Sequence, residues 1–407
     1  MNPHQIRIED YDYSLPPELI AQHPLEERDA SRLLLWKDKK PHEFTFRQLH
    51  ELLPKNSLLV FNDSRVVRAR LLFRKPSGAN IEVFCLEPDA HLSDRNIAFI
   101  AKGTCRWKCY VGNLQRWKSG HLNLSATIGN TTIELSAEKA GAEGDTLIIV
   151  FRWTPQEFTF AEVMEACGHI PLPPYIKRED QPMDAERYQT IFAKHQGSVA
   201  APTAALHFTP RIIESVADVG VEIAHITLHV GAGTFKPVTS ETMGSHLMHS
   251  EHYSVSLYTL SKLIQHQGKP VIAVGTTSMR TLESLYWLGV RILKNPDISP
   301  DNLTTRQWEP YETDDSGVMA LQSLIAVKEY LEKSGFDYLS TTSGLMIAPG
   351  YHFKICNGLI TNFHLPKSTL LLLVSALIGD GWKEAYRFAA EKKFRFLSYG
   401  DSSLLLP

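Results

Sequence analysis

Residues 271–283 read Val271-Ile272-Ala273-Val274-Gly275-Thr276-Thr277-Ser278-Met279-Arg280-Thr281-Leu282-Glu283. A short, wholly apolar run enters a Gly-Thr-Thr turn, and a helix opens beyond it. That is the pattern of a buried strand feeding a helix in an α/β layer. Hydroxyls and backbone amides at such a helix N-terminus suit an anion or a sugar. Arg280 and Glu283 lie three apart, on one helical face.

The same alternation extends outward. Val221–Val230 reads as a strand. Pro210–Val219 reads as a helix with proline in its first turn, where the missing N–H does no harm. Ser57–Phe61 is an apolar run ending in Asn62-Asp63-Ser64, as a buried strand delivering polar groups at its C-terminal end would be. Phe46–Leu53, Ala161–Cys167 and Asp184–Ala193 read as helices. Between about Leu71 and Thr154 the texture changes to short β-rich runs: Ile81–Leu86, Ile97–Ala101, Trp107–Val111, His121–Ala126, Thr131–Leu135 and Thr146–Arg152. Turns such as Ser119-Gly120 and Gly129-Asn130 separate them. The expected architecture is a large α/β barrel-like domain, 1–70 and 155–407, with a small β-barrel domain inserted at 71–154. Within the large part, 286–342 reads as an elaboration. Pro296–Asp315 has the composition of an exposed loop, and Gly317–Lys333 the spacing of an amphipathic helix.

The whole chain is consistent with this division. It has 407 residues, enough for two or three units, with 43% hydrophobic and 21% charged residues. No apolar run reaches the roughly 18 to 20 residues that span a bilayer, and Met1–Asp12 lacks the apolar centre of a signal peptide. The expectation is a cytoplasmic monomer. Five scattered cysteines do not form a disulfide framework. Cys105 and Cys109 lack a second pair, and His246, His249, Glu251 and His252 do not follow zinc-ligand spacing, so no metal is expected. A net charge of −3 excludes a uniformly basic nucleic-acid coat but not a local basic patch.

Chemistry-bearing residues gather between Gly197 and Glu283. His207 stands just before a helix. His225 and His229 share a strand face that ends in Gly231-Ala232-Gly233-Thr234, where glycines let backbone amides approach a ligand. Thr361–Thr369 again sets polar groups, His364 among them, between an apolar run and an apolar helix. Separately, Arg65, Arg68, Arg70, Arg74 and Lys75 cluster, and Arg106, Trp107, Lys108, Tyr110, Arg116, Trp117 and Lys118 interleave cations with aromatics. Phosphate pairing plus base stacking uses that mix.

In order along the chain stand DYDYSLPPELIAQHPLEERDASRLL, FNDSRVVRARL, IPLPPYI, ERYQTIFA, GSVAAPTAALHFT, ITLHVGAGTFKPV, MHSEHY, AVGTTSMRTLES, PGYHF, LITNFHLPKSTLLLLVSA and FRFLSYGDSSLL. This series resembles the S-adenosylmethionine:tRNA ribosyltransferase-isomerases of queuosine biosynthesis over nearly the whole chain. The resemblance implies transfer of the ribosyl group of S-adenosylmethionine (AdoMet) to 7-aminomethyl-7-deazaguanine at the tRNA wobble position. The ribose is isomerised, giving epoxyqueuosine, adenine and methionine. AdoMet is then a consumed co-substrate, and no resident cofactor is expected.

Under that resemblance the base is His229 or Asp63, and His207 and His364 are candidates for proton donation or ribose contact. Gly231, Gly233, Thr234, Thr276 and Thr277 would hold the AdoMet carboxylate and ribose hydroxyls. Arg280 would pair with a carboxylate or phosphate, and Asn62 would face the same site. Arg65, Arg68, Arg70, Arg106, Trp107, Lys108 and Lys118 would meet RNA. The chain departs from the family pattern at Arg68, Ala205 and Thr341–Ala348. Two other readings therefore stand beside the first: a same-fold AdoMet-dependent enzyme for another nucleoside or base, and a tRNA-binding paralogue without catalysis.

Overall fold

The computed structural model describes residues 2–89, 95–231, 238–315 and 317–407. Two large sheets organise it. The first has ten strands, ordered Thr304–Thr305, Tyr338–Ser343, Glu251–Ser256, Glu222–Leu228, Leu58–Asn62, Val271–Val274, Gly358–Asn362, Ser402–Leu405, Arg32–Lys37 and Lys40–Thr45. The four strands from Glu222–Leu228 to Gly358–Asn362 run parallel. Leu58–Asn62, Val271–Val274 and Gly358–Asn362 are buried at every position. This is why they read as unbroken apolar runs rather than alternating ones: both faces of a central parallel sheet are covered.

The helix Thr276–Lys294 lies against this sheet and is buried on nearly all sides, at fifteen of its nineteen residues. A helix so enclosed needs a second partner, and Ala320–Ser334 supplies it. At their crossing, Ser323 Oγ donates to Tyr286 O at 2.6 Å, and a Cβ on Gly289 would collide with the Ser323 backbone. Tyr286 is thus the middle of a continuous helix, not the start of an added segment. The stretch expected as an exposed loop also has inward anchors. Leu303, Thr305 and Glu309 are buried, and Arg291 pairs with Glu309. Ala320–Ser334 ends at Gly335, whose φ of +69° gives the left-handed cap that L residues resist.

The second sheet is antiparallel, in the order Gly168–His169, Arg70–Arg74, Asn80–Pro88, Thr104–Gly112, Thr146–Thr154, Thr131–Glu143 and Leu122–Ile128. It wraps a core of its own, which includes Phe73, Trp107, Trp117, Phe151 and Trp153. Phe160–Cys167 caps that core. Thr159 and Glu162 start the helix with a reciprocal capping box, and Phe160, Val163 and Met164 pack inward. Both sheets have linear strand orders, so neither ladder closes into a barrel among the described residues.

Two local expectations fail. Ile97–Ala101 is not a strand; a helix spans Arg95–Ile100, burying Ala98 and Phe99 and exposing Ile97 and Ile100. Five apolar residues in a row carry no period, so helix and strand read alike there. The helix expected over Asp184–Ala193 stops at Arg187. No helix among the described residues is long and apolar enough to cross a membrane.

Candidate active site

The four parallel strands end at one edge of the sheet, at Asn62, Leu228, Val274 and Asn362. Loops leaving the carboxyl ends of parallel strands are where open α/β sheets build ligand sites. Here they bring together residues some 300 positions apart.

Asn62 is a brace. It is wholly buried. Its Nδ2 donates to Leu228 O at 2.9 Å, and its Oδ1 accepts from Leu228 N and Ser64 N, each at 3.0 Å. The side chain extends the ladder between two strand ends, so the expected ligand contact at Asn62 gives way to a positioning role. Asp63 follows, with its carboxylate accepting from Thr227 Oγ1 at 2.7 Å and lying 3.7 Å from His195.

His229 leaves the next strand end. Its ring stacks on His252 at 6.1 Å between centroids and lies flat against Gly197. A Cβ there would sit 2.9 Å from His229 Nδ1. Val230 N donates to Ser198 Oγ at 3.0 Å, fastening the segment after the histidine. His225, four residues earlier, has different neighbours in Phe61 and Phe192.

Arg280 is engaged within the protein. It pairs with Glu251, and both side chains are buried. Glu251 also faces the amide of Gly231, which donates to it at 3.4 Å. Burial pulls the Arg280 guanidinium down to about 10. Glu283, read as its helical neighbour, takes other partners: the amides of Lys354, Ile355 and Cys356 and the Tyr351 hydroxyl, at 2.8–3.0 Å. Gly233 and Thr234 lie outside the described residues.

A cleft of about 110 Å³ opens between two of the strand ends. Thr276, Thr277, Asn362 and His364 line one part of it; Tyr175, Phe363 and Leu370 give it apolar walls. Gly275, with φ +96°, turns the chain so that the Thr276 helix starts at this wall. His364 bonds Thr361 Oγ1 at 3.1 Å through Nε2. Burial pushes its imidazole down to about 3, so the ring is neutral at pH 7. His207 is outside the cleft wall. It is buried, held down to about 4 by desolvation, and bonded to Asn362 Nδ2 at 3.1 Å. His207 touches the cleft wall through Asn362.

Most of the expected RNA contacts are engaged within the protein. Trp107 is a core residue, 2% exposed, against Phe99 and Phe160. Trp117 is buried as well. Arg68 pairs with Glu165, Arg70 with Glu82, Arg106 with Asp89, and Lys108 with Glu143 and Glu87. Arg65 and Lys118 are exposed and make no ion pair among the described residues. Among those residues no three His, Cys, Asp or Glu side chains converge on a metal position, and all five cysteines are free thiols.

The sequence pattern of the family described as queuosine biosynthesis protein matches residues 8–405. The chain belongs to this family. Full-length relatives agree. The S-adenosylmethionine:tRNA ribosyltransferase-isomerase of Geobacter metallireducens is 39% identical over 403 residues, covering 98% of this chain and 99% of the relative. That of Thermotoga maritima is 39% identical over 407 residues, covering 98% and 100%. That of Legionella pneumophila strain Lens is 39% identical over 404 residues, covering 98% and 99%. A crystal structure described as S-adenosylmethionine tRNA ribosyltransferase from Thermotoga maritima is 31% identical, with a TM-score of 0.46.

Three residues of this queuosine-family site escape a reading of the sequence: Gly197, Glu251 and Asn362. Gly197 opens the Gly-Ser-Val-Ala-Ala-Pro stretch, and a glycine ahead of small residues is a signal for close approach. Glu251 is the acid in a strand that otherwise buries apolar side chains. Asn362 is the last residue of an all-buried strand, and polar groups in that place are rarely idle.

Proposed function

We propose that the chain is an S-adenosylmethionine:tRNA ribosyltransferase-isomerase. It moves the ribosyl group of AdoMet onto 7-aminomethyl-7-deazaguanine in the anticodon of tRNA and forms epoxyqueuosine, adenine and methionine. The observation that carries this reading is the convergence of His229, Thr276, Thr277, Asn362 and His364 on one sheet edge, in a chain 39% identical along its length to proteins of that name.

The chemistry asks for few protein groups. A base takes the proton from the ribose carbon beside the sulfonium. Adenine leaves with the electron pair of its glycosidic bond and picks up a proton. The aminomethyl nitrogen of the base forms the new C–N bond to the transferred ribosyl group and sheds a proton, and methionine leaves with the pair of the carbon–sulfur bond. His229 is assigned the base, since Gly197 and His252 hold its ring at the strand end; Asp63 is the second candidate. Thr276, Thr277 and the helix N-terminus behind them hold ribose hydroxyls or the carboxylate. The neutral His364 offers an N–H or a lone pair at the nucleoside without bringing a charge. Glu251 and Arg280 form a buried, mutually neutralising pair that keeps the wall beside Gly231 in place. The seven-stranded antiparallel sheet, with residues 71–154 at its heart, is assigned to holding RNA, and Arg65 to touching the phosphate chain near the entrance.

Incubation with AdoMet and tRNA carrying the aminomethyl base tests this, with adenine counted by chromatography and the nucleoside identified by mass. Adenine release matched by epoxyqueuosine supports the proposal. Release only with a different acceptor assigns another nucleoside, and tRNA binding without release assigns a non-catalytic binder. His229→Asn is expected to lower adenine release by about 10²- to 10⁴-fold, as loss of a positioned base does, with AdoMet still bound. Near-normal release from His229→Asn together with collapse in Asp63→Asn moves the base to Asp63.

A further inference from the structure

Asn362 lines the cleft and is 3% exposed. Its side chain has a defined orientation. Nδ2 donates to His207 Nε2 at 3.1 Å and lies 3.4 Å from Asp401 O. Both partners stand behind the cleft wall: His207 lines a separate small cavity with Arg28 and Tyr399, and Asp401 begins the turn into the neighbouring strand. The other end of the amide is its carbonyl oxygen. That oxygen is buried and has no hydrogen-bond partner. An unsatisfied buried acceptor costs about 1–3 kcal/mol, a cost that a donor on a ligand in the cleft would recover.

The surroundings narrow what that something is. Tyr175, Phe363, Leu365, Leu370 and Leu397 make the adjoining walls largely apolar. A cleft with apolar walls and an unpaired amide oxygen among its lining residues suits a heteroaromatic base carrying an exocyclic amine. Asparagine reads adenine elsewhere by accepting from the 6-amino group while donating to the adjacent ring nitrogen. Here the donor half is already held by His207 and Asp401, which leaves the acceptor half alone. Such a site separates an amino purine from an oxo purine, whose oxygen would face the carbonyl.

We propose that Asn362 reads the 6-amino group of the adenine of AdoMet through its side-chain carbonyl, and that His207 is the positioning residue that fixes which end of the amide faces the cleft. This rests on the AdoMet reading above. His207 does so as a neutral ring, with Nε2 as acceptor for the Asn362 amide and Nδ1 toward the backbone at Arg28. Were Nε2 protonated, its N–H would favour the amide oxygen and turn the amide over; were Nε2 absent, only Asp401 O would hold the amide and its orientation would loosen.

Equilibrium binding by calorimetry, which needs no turnover and no tRNA, tests the inference separately from the reaction. The full-length protein is titrated with AdoMet and with the analogue whose base is hypoxanthine. The wild-type chain is expected to prefer AdoMet by roughly 100-fold or more, in line with sites whose buried polar group is left unpaired by the wrong ligand. In Asn362→Leu that preference falls to within a few-fold. In His207→Leu it falls also, although His207 touches no ligand, whereas His207→Gln, which keeps an acceptor for Nδ2, restores most of it. Equal affinity of the wild type for both ligands overturns the proposal, as does full preference in Asn362→Leu or in His207→Leu. Preserved thermal unfolding of the variants guards against simple misfolding. Base discrimination in a protein that releases no adenine with tRNA would uphold the inference while sinking the reaction.

Discussion

Gly197 shows how much a single missing Cβ can carry. Its φ of +131° already disfavours an L side chain. A methyl there would also reach 2.9 Å from His229 Nδ1 and 3.0 Å from its Cε1, inside normal contact. The ring also stacks with His252, at 6.1 Å between centroids. Gly197→Ala is therefore expected to displace the imidazole, and misplacement of a reacting group by about 1 Å costs on the order of 10²-fold in rate. Single-turnover adenine release should drop by that factor with AdoMet affinity nearly intact. Unchanged release would mean that the His229 position does not matter to the chemistry. His207 gives a residue-scale prediction of another kind. Its folded-state imidazole lies near 4, against about 6.5 in an unfolded chain. Between those values the unfolded chain binds a proton that the native one refuses, so stability is fully present above about pH 6.5 and is lost as pH falls toward 4. From pH 7.5 to 5 this amounts to about 2 kcal/mol. His207→Gln should lose less stability than the wild type over that interval by about that amount, read from urea midpoints. Parallel pH curves for the two proteins would refute it.

At the scale of elements, the helix Thr276–Lys294 links the cleft to the rest of the molecule. Its N-terminus faces the cleft, and two turns later Glu283 gathers three backbone amides and the Tyr351 hydroxyl from the Pro349–Cys356 segment. Burial raises the Glu283 pKa, and those hydrogen bonds oppose the rise. This carboxylate is the anchor for a loop that has no regular structure of its own. Glu283→Gln keeps the shape but replaces one acceptor oxygen with a donor that faces other donors. With about 1–3 kcal/mol for each buried group left unsatisfied, a loss of roughly 3 kcal/mol is expected. It should appear as a lower urea midpoint with an unchanged slope; a loss below about 1 kcal/mol would show that the loop is held by something else. The role of Glu283 was hidden in the sequence for a plain reason. A carboxylate three residues from an arginine on a helix suggests a local ion pair, and nothing local reveals that Arg280 is taken by Glu251 and Glu283 by a segment some 70 positions on.

At the scale of the whole molecule, what was legible follows from which forces leave a period in the sequence. The central strands were visible because burial on both faces makes them continuous apolar runs, and their polar ends pointed to the site. Their order in the sheet was not visible, and neither was the coincidence of Asn62, Leu228, Val274 and Asn362 at one edge, because pairing of distant strands leaves no local trace. The basic stretches show the converse error. In Thr104–Gly112 the burial alternates: Cys105, Trp107 and Cys109 are buried, while Arg106 and Lys108 lie between them facing carboxylates. That period of two was present in the sequence, but the mixture of cations and aromatics resembled an RNA surface. The two roles separate experimentally. Trp107→Ala removes a buried indole and should cost about 3–5 kcal/mol of stability while leaving tRNA affinity, measured below the melting range, within two-fold. Arg65 stands exposed beside the Ser64–Val66 and His195–Ser198 pair, next to the strand ends. Arg65→Glu should weaken tRNA binding about ten-fold at low salt, lower the salt dependence of log K by about one unit, and leave AdoMet binding alone. Reversed outcomes, with RNA affinity tracking Trp107 and untouched by Arg65, would take Arg65 out of the RNA interface.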